Sequence, residues 1–542
     1  MLGLLWRSSW RIVMLVIVMG AVSGLSSALL VGQINSALSG AWAGRGWQDT
    51  QLLWQFAGLS AVLVLSGYYS RYLSNHLIEK AICELRLHIS RLILAAPYPR
   101  LQALGKAQLL ANLTEDISKI ARAFLVLPEL CVNAAMVLGC LAYLAWLSWQ
   151  LALVTSGIVV FGVLSYKLLS TLPSKSLALA REEYDTLSRH FRSLIEGIKE
   201  LKLHQRRSVA FMDASIATSA KAYRRYSVSA ANAFLFAYQW ANILFYLMLG
   251  LILFVFPSYG VGQDVVSGYL LVFLFIMGPL SVLTETVPIF ASLKVATNKI
   301  DALGTALATG PQAMPTVPPE WSAWSELCLQ GVTHSFHREQ ENRHFTLGPI
   351  DLVFKPGELV FLVGGNGSGK TTLAMLLLGL YLPENGVITV NGVAVTAANR
   401  DAYRQNFSAV FSDFHLFDAL FGFDSNVVNA QVLAFLEKLQ LHHKVSVQDG
   451  KFSTLDLSQG QRKRLALLIA YLEDRPFYVF DEWAADQDPE FKALFYTELL
   501  PALSNRGKTV LVITHDDRYF HLAHRCIKLE EGQITPYQQE MP

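Results

Sequence analysis

The run Leu359-Val360-Phe361-Leu362-Val363-Gly364-Gly365-Asn366-Gly367-Ser368-Gly369-Lys370-Thr371-Thr372-Leu373-Ala374-Met375-Leu376-Leu377 decides how the chain is read. Its first five residues are apolar and β-prone, as a buried strand requires. Its last residues are helix formers. Between them, Gly364 to Thr371 spell the phosphate loop G-x-x-x-x-G-K-[ST]. Glycines there let successive backbone N–H groups wrap a chain of phosphates, and the following helix N-terminus adds positive potential. Lys370 is then expected to contact the β- and γ-phosphates, and Thr371 to ligate Mg2+.

Further along, a second apolar run, Phe477-Tyr478-Val479-Phe480, ends in Asp481-Glu482. A carboxylate at a strand end beside a phosphate loop is suited to hold Mg2+, which assigns Asp481. Glu482 is placed to orient and polarise an attacking water. Leu457-Ser458-Gln459-Gly460-Gln461 stands before the helical run that starts at Arg462. A hydroxyl and a glycine N–H at a helix N-terminus suit an anion, although a plain capping loop has the same composition. His515 follows the strand-like Val510-Leu511-Val512-Ile513-Thr514, at the sheet edge that would carry the phosphate loop.

The first three hundred residues have a different character. The chain holds 542 residues, 53% of them hydrophobic and only 16% charged, with mean hydropathy +0.35. Soluble domains carry about 25% charged residues. That excludes a single soluble globule, a disordered chain and a collagen-like repeat. Six apolar stretches reach the ~20 residues that a helix needs to cross a hydrocarbon core. They lie near Ile12–Val31, Leu52–Tyr69, Phe124–Leu147, Leu151–Ser170, Ala233–Phe256 and Tyr269–Phe290. The first is longer than the ~7–15 apolar residues of a cleavable signal, and five more spans follow it.

Residues 1–300 carry 25 Lys and Arg against 14 Asp and Glu, and the remainder 19 against 28. The basic residues sit before span one and in segments 70–123 and 171–232, whereas the three opposite loops hold only Arg45. This is the positive-inside pattern and not a nucleic-acid surface, so both termini are expected in the cytoplasm. The two basic segments have apolar residues at helical spacing, and read as helical arms they extend the spans about 30–40 Å into the cytosol. Glu129 and Glu285 are ionisable groups at the borders of spans three and six. They read equally as wetted helix ends or as part of a cargo cavity. Tyr238, Gln239, Trp240 and Asn242 in span five read as packing or as cavity lining. The five cysteines form no CxxC pair, which implies neither a disulfide framework nor a zinc site. Gly310, Pro311, Pro315, Pro318 and Pro319 then stiffen a linker. The expected division is a six-span α-helical membrane domain over 1–307, a linker over 308–322 and an α/β P-loop NTPase domain over 323–542.

Taken together and in this order, the motifs resemble those of ATP-binding cassette half-transporters of the exporter type. The phosphate loop corresponds to Walker A, Val479–Glu482 to Walker B, and Leu457–Gln461 to the signature LSGGQ with Gln459 for a glycine. His515 corresponds to the switch histidine, and Asp488 in Ala485-Asp486-Gln487-Asp488-Pro489 to the D-loop aspartate. Phe336 stands where the family places an aromatic on adenine. One departure is clear: where the family has a glutamine after the Tyr403–Val410 region, this chain has Ser412, then Asp413. Either is expected to substitute at Mg2+. These details are similar to a bacterial subgroup that exports cyclic or modified peptides and siderophore precursors of the pyoverdine type.

The resemblance implies ATP and Mg2+ as ligands. It implies a homodimer in the lipid bilayer of the bacterial inner membrane, a peptide-like cargo and no nucleic acid. Nucleotide contacts would come from Phe336, Gly364, Gly365, Asn366, Gly367, Ser368, Gly369, Lys370, Thr371 and Thr372 of one copy. Ser458, Gln459, Gly460 and Asp488 of the other would complete the site. Glu482, His515 and Lys370 would serve hydrolysis, and Thr371 and Asp481 the metal. A lipid or hydrophobic-drug flippase with the same machinery is the nearest alternative, and an ATP-gated channel or regulator is an alternative of another class.

Overall fold

The computed structural model describes residues 2–42, 50–169, 174–259, 261–307, 325–338, 343–423 and 425–536. The chain forms two compact units. The first comprises Met1–Arg91 and Ala107–Gly304, the second Leu92–Lys106 and Thr305–Pro542.

The longest helices of the membrane-spanning part of the chain combine an apolar span with a polar extension, and shorter helices connect them. They are α1 (Leu2–Trp42), α2 (Thr50–Ala95), a short α3 (Tyr98–Leu104), α4 (Lys106–Ala111), α5 (Ile117–Leu147) and α6 (Trp149–Leu169). After these come α7 (Ser174–Glu196), α8 (Ile198–Leu203), α9 (Gln205–Phe211), α10 (Thr218–Gly250) and α11 (Gln263–Leu307). Among the described residues six helical segments are long and apolar enough to cross a bilayer: Arg11–Leu38, Thr50–Ala95, Val126–Leu147, Trp149–Tyr166, Gln205–Ser258 and Val265–Leu283. Leu53, Trp54, Leu65, Trp146, Leu164, Leu168 and Phe254 are exposed, as side chains facing lipid must be. The inner core gathers Val31, Leu144, Met248, Ile252, Tyr269, Val272 and Ile276. α1 and α5 meet at glycines. A Cβ on Gly24 would lie 2.4 Å from the Val132 carbonyl oxygen, and one on Gly139 2.8 Å from the Ala28 Cβ. Such close approach of backbones is how helices associate where no hydrophobic force separates protein from solvent.

In the second unit, β1 (Leu327–Arg338), β2 (Arg343–Phe354), β4 (Asn385–Val390) and β5 (Val393–Ala394) form an antiparallel sheet in the order β2-β1-β4-β5. The principal sheet uses β3 (Leu359–Val363), β6 (Phe407–Val410), β9 (Phe477–Asp481), β10 (Thr509–Ile513), β11 (Arg525–Glu530) and β12 (Gln533–Thr535). Its order is β12-β11-β3-β10-β9-β6. A hairpin, β7 (Val447–Gln448) and β8 (Lys451–Phe452), stands apart. The helices of this unit are α12 (Lys370–Leu377), α13 (Arg400–Arg404), α14 (Ser425–Lys438), α15 (Gln459–Glu473), α16 (Pro489–Leu494) and α17 (Leu500–Asn505). Every residue of β3, β9 and β10 is buried. That accounts for their largely apolar sequences, since a parallel strand is covered on both faces.

Leu92–Lys106 precedes span three in sequence yet packs in the second unit. Tyr381 Oη donates to Gln102 Oε1 at 2.6 Å, and the Tyr98 and Tyr381 rings lie 6.2 Å apart. Burial first, and then the neighbouring Tyr98, push the Tyr381 hydroxyl above its usual range.

Candidate functional site

Parallel pairing aligns the strand ends. Ile513 of β10 pairs with Leu362 of β3 on one side and Asp481 of β9 on the other, and Val410 of β6 pairs with Phe480. The residues after those positions therefore emerge together at the carboxyl edge of the sheet, where open α/β sheets bind ligands. They are the phosphate loop, Glu482, His515, and Ser412-Asp413.

The loop is built on positive φ angles that exclude side chains. Gly364 has φ +151, and a Cβ there would lie 2.2 Å from the Leu529 carbonyl oxygen. Gly369, at φ +103, is the residue from which α12 starts. A cavity of about 300 Å3 opens over the loop, lined by Phe345, Asn366, Gly367, Gly369, Lys370, Thr371, Thr372 and Glu482. Lys370 is buried and donates to the carbonyls of Gly364 and Gly365 at 2.8 and 2.9 Å. Burial lowers the proton affinity of its amine, and Glu482 and Asp481 oppose that effect.

Asp481 is 1% exposed. One of its oxygens receives the Thr371 hydroxyl at 3.4 Å, and the other, Oδ1, has no hydrogen-bond partner. Burial first, then the adjacent Glu482 and to a smaller degree Asp413, push the carboxyl up to about 6, against the pull of Thr371 and Lys370. A buried carboxylate oxygen without a partner, beside a hydroxyl and under a phosphate loop, is a donor set that suits Mg2+. Among the described residues no group of three or more His, Cys, Asp or Glu forms a protein-only metal cage. Mg2+ fits that pattern, because it commonly takes one or two protein ligands with phosphate and water as the rest. Ser412 and Asp413 are both exposed.

Glu482 occupies the left-handed region at φ +50, a conformation that costs a side-chain-bearing residue about 1–2 kcal/mol. Its carboxylate Oε1 lies 3.3 Å from His515 Nε2. The two residues expected at the γ-phosphate are thus brought together, with Glu482 in the wall of the cavity.

Ser458 is the N-cap of α15. Its Oγ accepts from Gln461 N at 3.4 Å while Gln461 Oε1 accepts from Ser458 N at 3.2 Å, a reciprocal capping box. Gln459 Nε2 donates to Asp486 Oδ2 at 3.1 Å, and Gly460 O accepts from Gln487 Nε2 at 3.0 Å. Asp488 caps α16 through Phe491 N at 2.9 Å and pairs with Arg464. The Phe491 N–H first, and then Arg464, hold its carboxyl below the usual range. Ser458, Gln459, Gly460 and Asp488 thus form a second cluster and do not line the cavity of their own chain. The side chains of Phe336 and Glu285 lie outside the described ones, and Glu129 is exposed near the start of its span. Sequence reasoning overlooked Phe345. It pairs across the β1–β2 ladder with Phe336, and its ring atoms come within 3.1 Å of where a Gly369 Cβ would be.

Residues 347–485 match the ABC transporter family, and residues 10–284 match the ABC transporter transmembrane region. The chain belongs to the ABC transporters. Along 98% of its length it is 37% identical to the ATP-binding protein SyrD of Pseudomonas syringae pv. syringae, covering 95% of that protein. It is 26% identical to an ATP-dependent lipid A-core flippase of Ralstonia nicotianae, over 96% of this chain and 88% of that one. A flippase of the same name from Burkholderia orbicola is 25% identical, over 88% of this chain and 82% of its own. This transporter is a multi-pass membrane protein whose cassette binds ATP, and it couples ATP hydrolysis to export.

A smaller cavity, about 100 Å3, lies within the membrane unit between α5, α6, α10 and α11. Tyr166, Tyr238, Asn242 and Ser281 set polar groups into an apolar wall that includes Val163, Phe245 and Ile276. Trp240 and Gln239 are not among its lining. Trp240 Nε1 donates to Ser165 Oγ at 3.1 Å, and Gln239 Oε1 accepts from Asn242 Nδ2 at 3.4 Å.

Proposed function

We propose that two copies of this transporter form a C2 homodimer in the bacterial inner membrane, termini in the cytoplasm, and export a peptide-like cargo. One observation carries the dimer. The phosphate cavity holds Lys370, Thr371 and Glu482, whereas Ser458 and Gly460 of the same chain stand elsewhere. A second copy related by a two-fold axis supplies the missing wall to each site at once. The same residues then occur in both sites, so both hydrolyse.

Gly364–Thr372 and Lys370 bind and orient the phosphates, and Phe345, with Phe336 on the paired strand, supports the base. Thr371 and Asp481 would hold Mg2+, with Asp413 or Ser412 nearby. Bound there, Mg2+ would supply positive charge against that developing on the γ-phosphate. The chain's own chemical step belongs to Glu482 and His515. Glu482 accepts a proton from water as the water oxygen bonds to the γ-phosphorus and the bond to the β–γ bridging oxygen breaks. His515, 3.3 Å from Glu482, fixes that carboxylate and reaches the γ-phosphate. Nucleotide that binds the closed dimer better than the open one shifts the membrane unit toward its outward state, and hydrolysis returns it.

Peptide-like cargo is supported by the likeness of Gly364–Gly367, Ser412-Asp413 and Asp481–Pro489 to the peptide-exporting subgroup. The small membrane cavity, with hydroxyls and an amide in an apolar wall, suits one side chain of such a cargo. The flippases among the relatives, at 25–26% identity, keep lipid export as the second reading. ATP-dependent uptake of candidate cyclic peptides into inverted vesicles tests the cargo, and stimulation of hydrolysis by lipid and not by peptide would overturn it. In the same vesicles Glu482→Gln should bind ATP and lose steady-state turnover. Turnover at the wild-type rate would remove Glu482 from its role.

A further inference from the structure

Lys463 plays no part in the site as described so far. It lies on the second turn of α15, just after the signature segment, and is 2% exposed. Its Nζ lies 2.7 Å from Asp486 Oδ2 and donates to the backbone carbonyl of Glu482 at 3.0 Å. Its own carbonyl accepts from Trp483 Nε1 at 2.8 Å, and the Trp483 ring stacks on Phe495 at 4.3 Å. The same Asp486 oxygen accepts from Gln459 Nε2 at 3.1 Å. Gln459 is the residue that stands where the family signature has glycine, so this last tie requires the substituted side chain.

These contacts converge on the unusual backbone of Glu482. Its N–H donates to Ile513 O at 3.0 Å, fixing the chain on the strand side. On the other side, besides the Lys463 ammonium, its carbonyl accepts a long 3.3 Å bond from Ala485 N. A left-handed turn at a residue with a side chain persists when its surroundings over-determine it. A methionine would fill the space of Lys463 without taking a charge out of water. What the ammonium adds is therefore geometry.

We propose that Lys463 is a positioning residue for ATP hydrolysis: it clamps the Glu482 carbonyl and the Asp486 carboxylate together, keeps the Glu482 side chain beside His515 and the phosphate cavity, and, through the Gln459–Asp486 bond, fastens that turn to the signature segment. The proposal rests on the reading of Glu482 as the residue that activates water.

The test uses the full-length transporter, with Lys463→Met, Gln459→Gly, Glu482→Gln and the Lys463→Met/Glu482→Gln double variant. ATP turnover is measured alongside binding of a fluorescent N-methylanthraniloyl ATP with Mg2+. Lys463→Met should lower kcat about ten-fold or more while KM and probe affinity stay within about two-fold. Gln459→Gly, at an exposed position, should lower kcat about two- to five-fold with the same split. In the Glu482→Gln background Lys463→Met should add nothing, because the group it positions is gone. Wild-type kcat in Lys463→Met, or lost probe affinity in it, would overturn the proposal, the latter by making Lys463 a folding residue. Lost probe affinity in the double variant relative to Glu482→Gln alone would overturn it too. If Glu482→Gln itself turns over normally, the reading of Glu482 falls and this proposal with it. A dead Glu482→Gln beside a fully active Lys463→Met sinks the proposal alone.

Discussion

Replacing Asp481 with asparagine should stabilise the transporter in the absence of metal, although it removes a group the site needs. The carboxyl sits at about 6 in the folded protein, against an ordinary value of 3.8. At about 1.4 kcal/mol per pH unit, that difference makes the ionised carboxylate cost about 3 kcal/mol of folding stability. The direction follows from proton counts. Between pH 3.8 and about 6 the folded chain still holds a proton that the unfolded chain has released. Stability therefore falls as pH rises through that window, and the whole deficit is present above it. Asparagine keeps the size and the Thr371 contact but carries no charge. It also deprives Lys370 of an attraction, which offsets part of the gain, so a net of about 1–3 kcal/mol remains at pH 7.5.

For a unit of this size each kcal/mol moves the midpoint by about 2–4 °C, so the nucleotide-binding unit should melt roughly 2–12 °C higher. The measurement is thermal unfolding of the detergent-solubilised transporter in EDTA, followed by tryptophan emission, at pH 5 and pH 7.5. The advantage of Asp481→Asn should grow by about 1–1.5 kcal/mol between the two. With ATP and Mg2+ the order should invert, because only the wild type gains the binding energy of the metal complex. An asparagine variant that melts lower in EDTA at pH 7.5, or one whose advantage is equal at both pH values, would refute the argument.

Two other substitutions probe the same edge of the sheet. Gly364→Ala puts a Cβ 2.2 Å from the Leu529 carbonyl oxygen at a φ of +151. It should cost about 3 kcal/mol or more and abolish nucleotide binding, as thermal unfolding and equilibrium dialysis would show. Phe345→Leu should weaken ATP several-fold, about 1 kcal/mol, while leaving inorganic triphosphate unaffected. Equal losses for both ligands would mean that the ring supports the loop and not the base.

What could be read from the sequence was local. The spans, the phosphate loop and the strand ending in Asp481-Glu482 each declare themselves within about twenty residues, because apolar runs and glycine spacing are short-range signals. The meeting of Glu482 with His515 was legible for a related reason. Both follow buried parallel strands, and parallel pairing of Asp481 with Ile513 brings their next residues to one edge. Contacts that depend on cross-strand or helix-to-loop placement were not legible. Phe336 and Phe345 are nine positions apart, and only the β1–β2 register makes them opposite. That Phe345 lines the cavity depends on its packing against the neighbouring Gly369. Lys463 and Asp486 are farther apart still, and nothing in the sequence distinguishes a lysine that clamps a carbonyl from one that faces solvent. Gln459 is the informative middle case. A glutamine where glycine is expected reads, on sequence alone, as a blemish in an anion site. In the structure its amide reaches Asp486, so the departure creates a bond that glycine cannot make. A substitution inside a recognised motif is better asked what it touches than what it lacks.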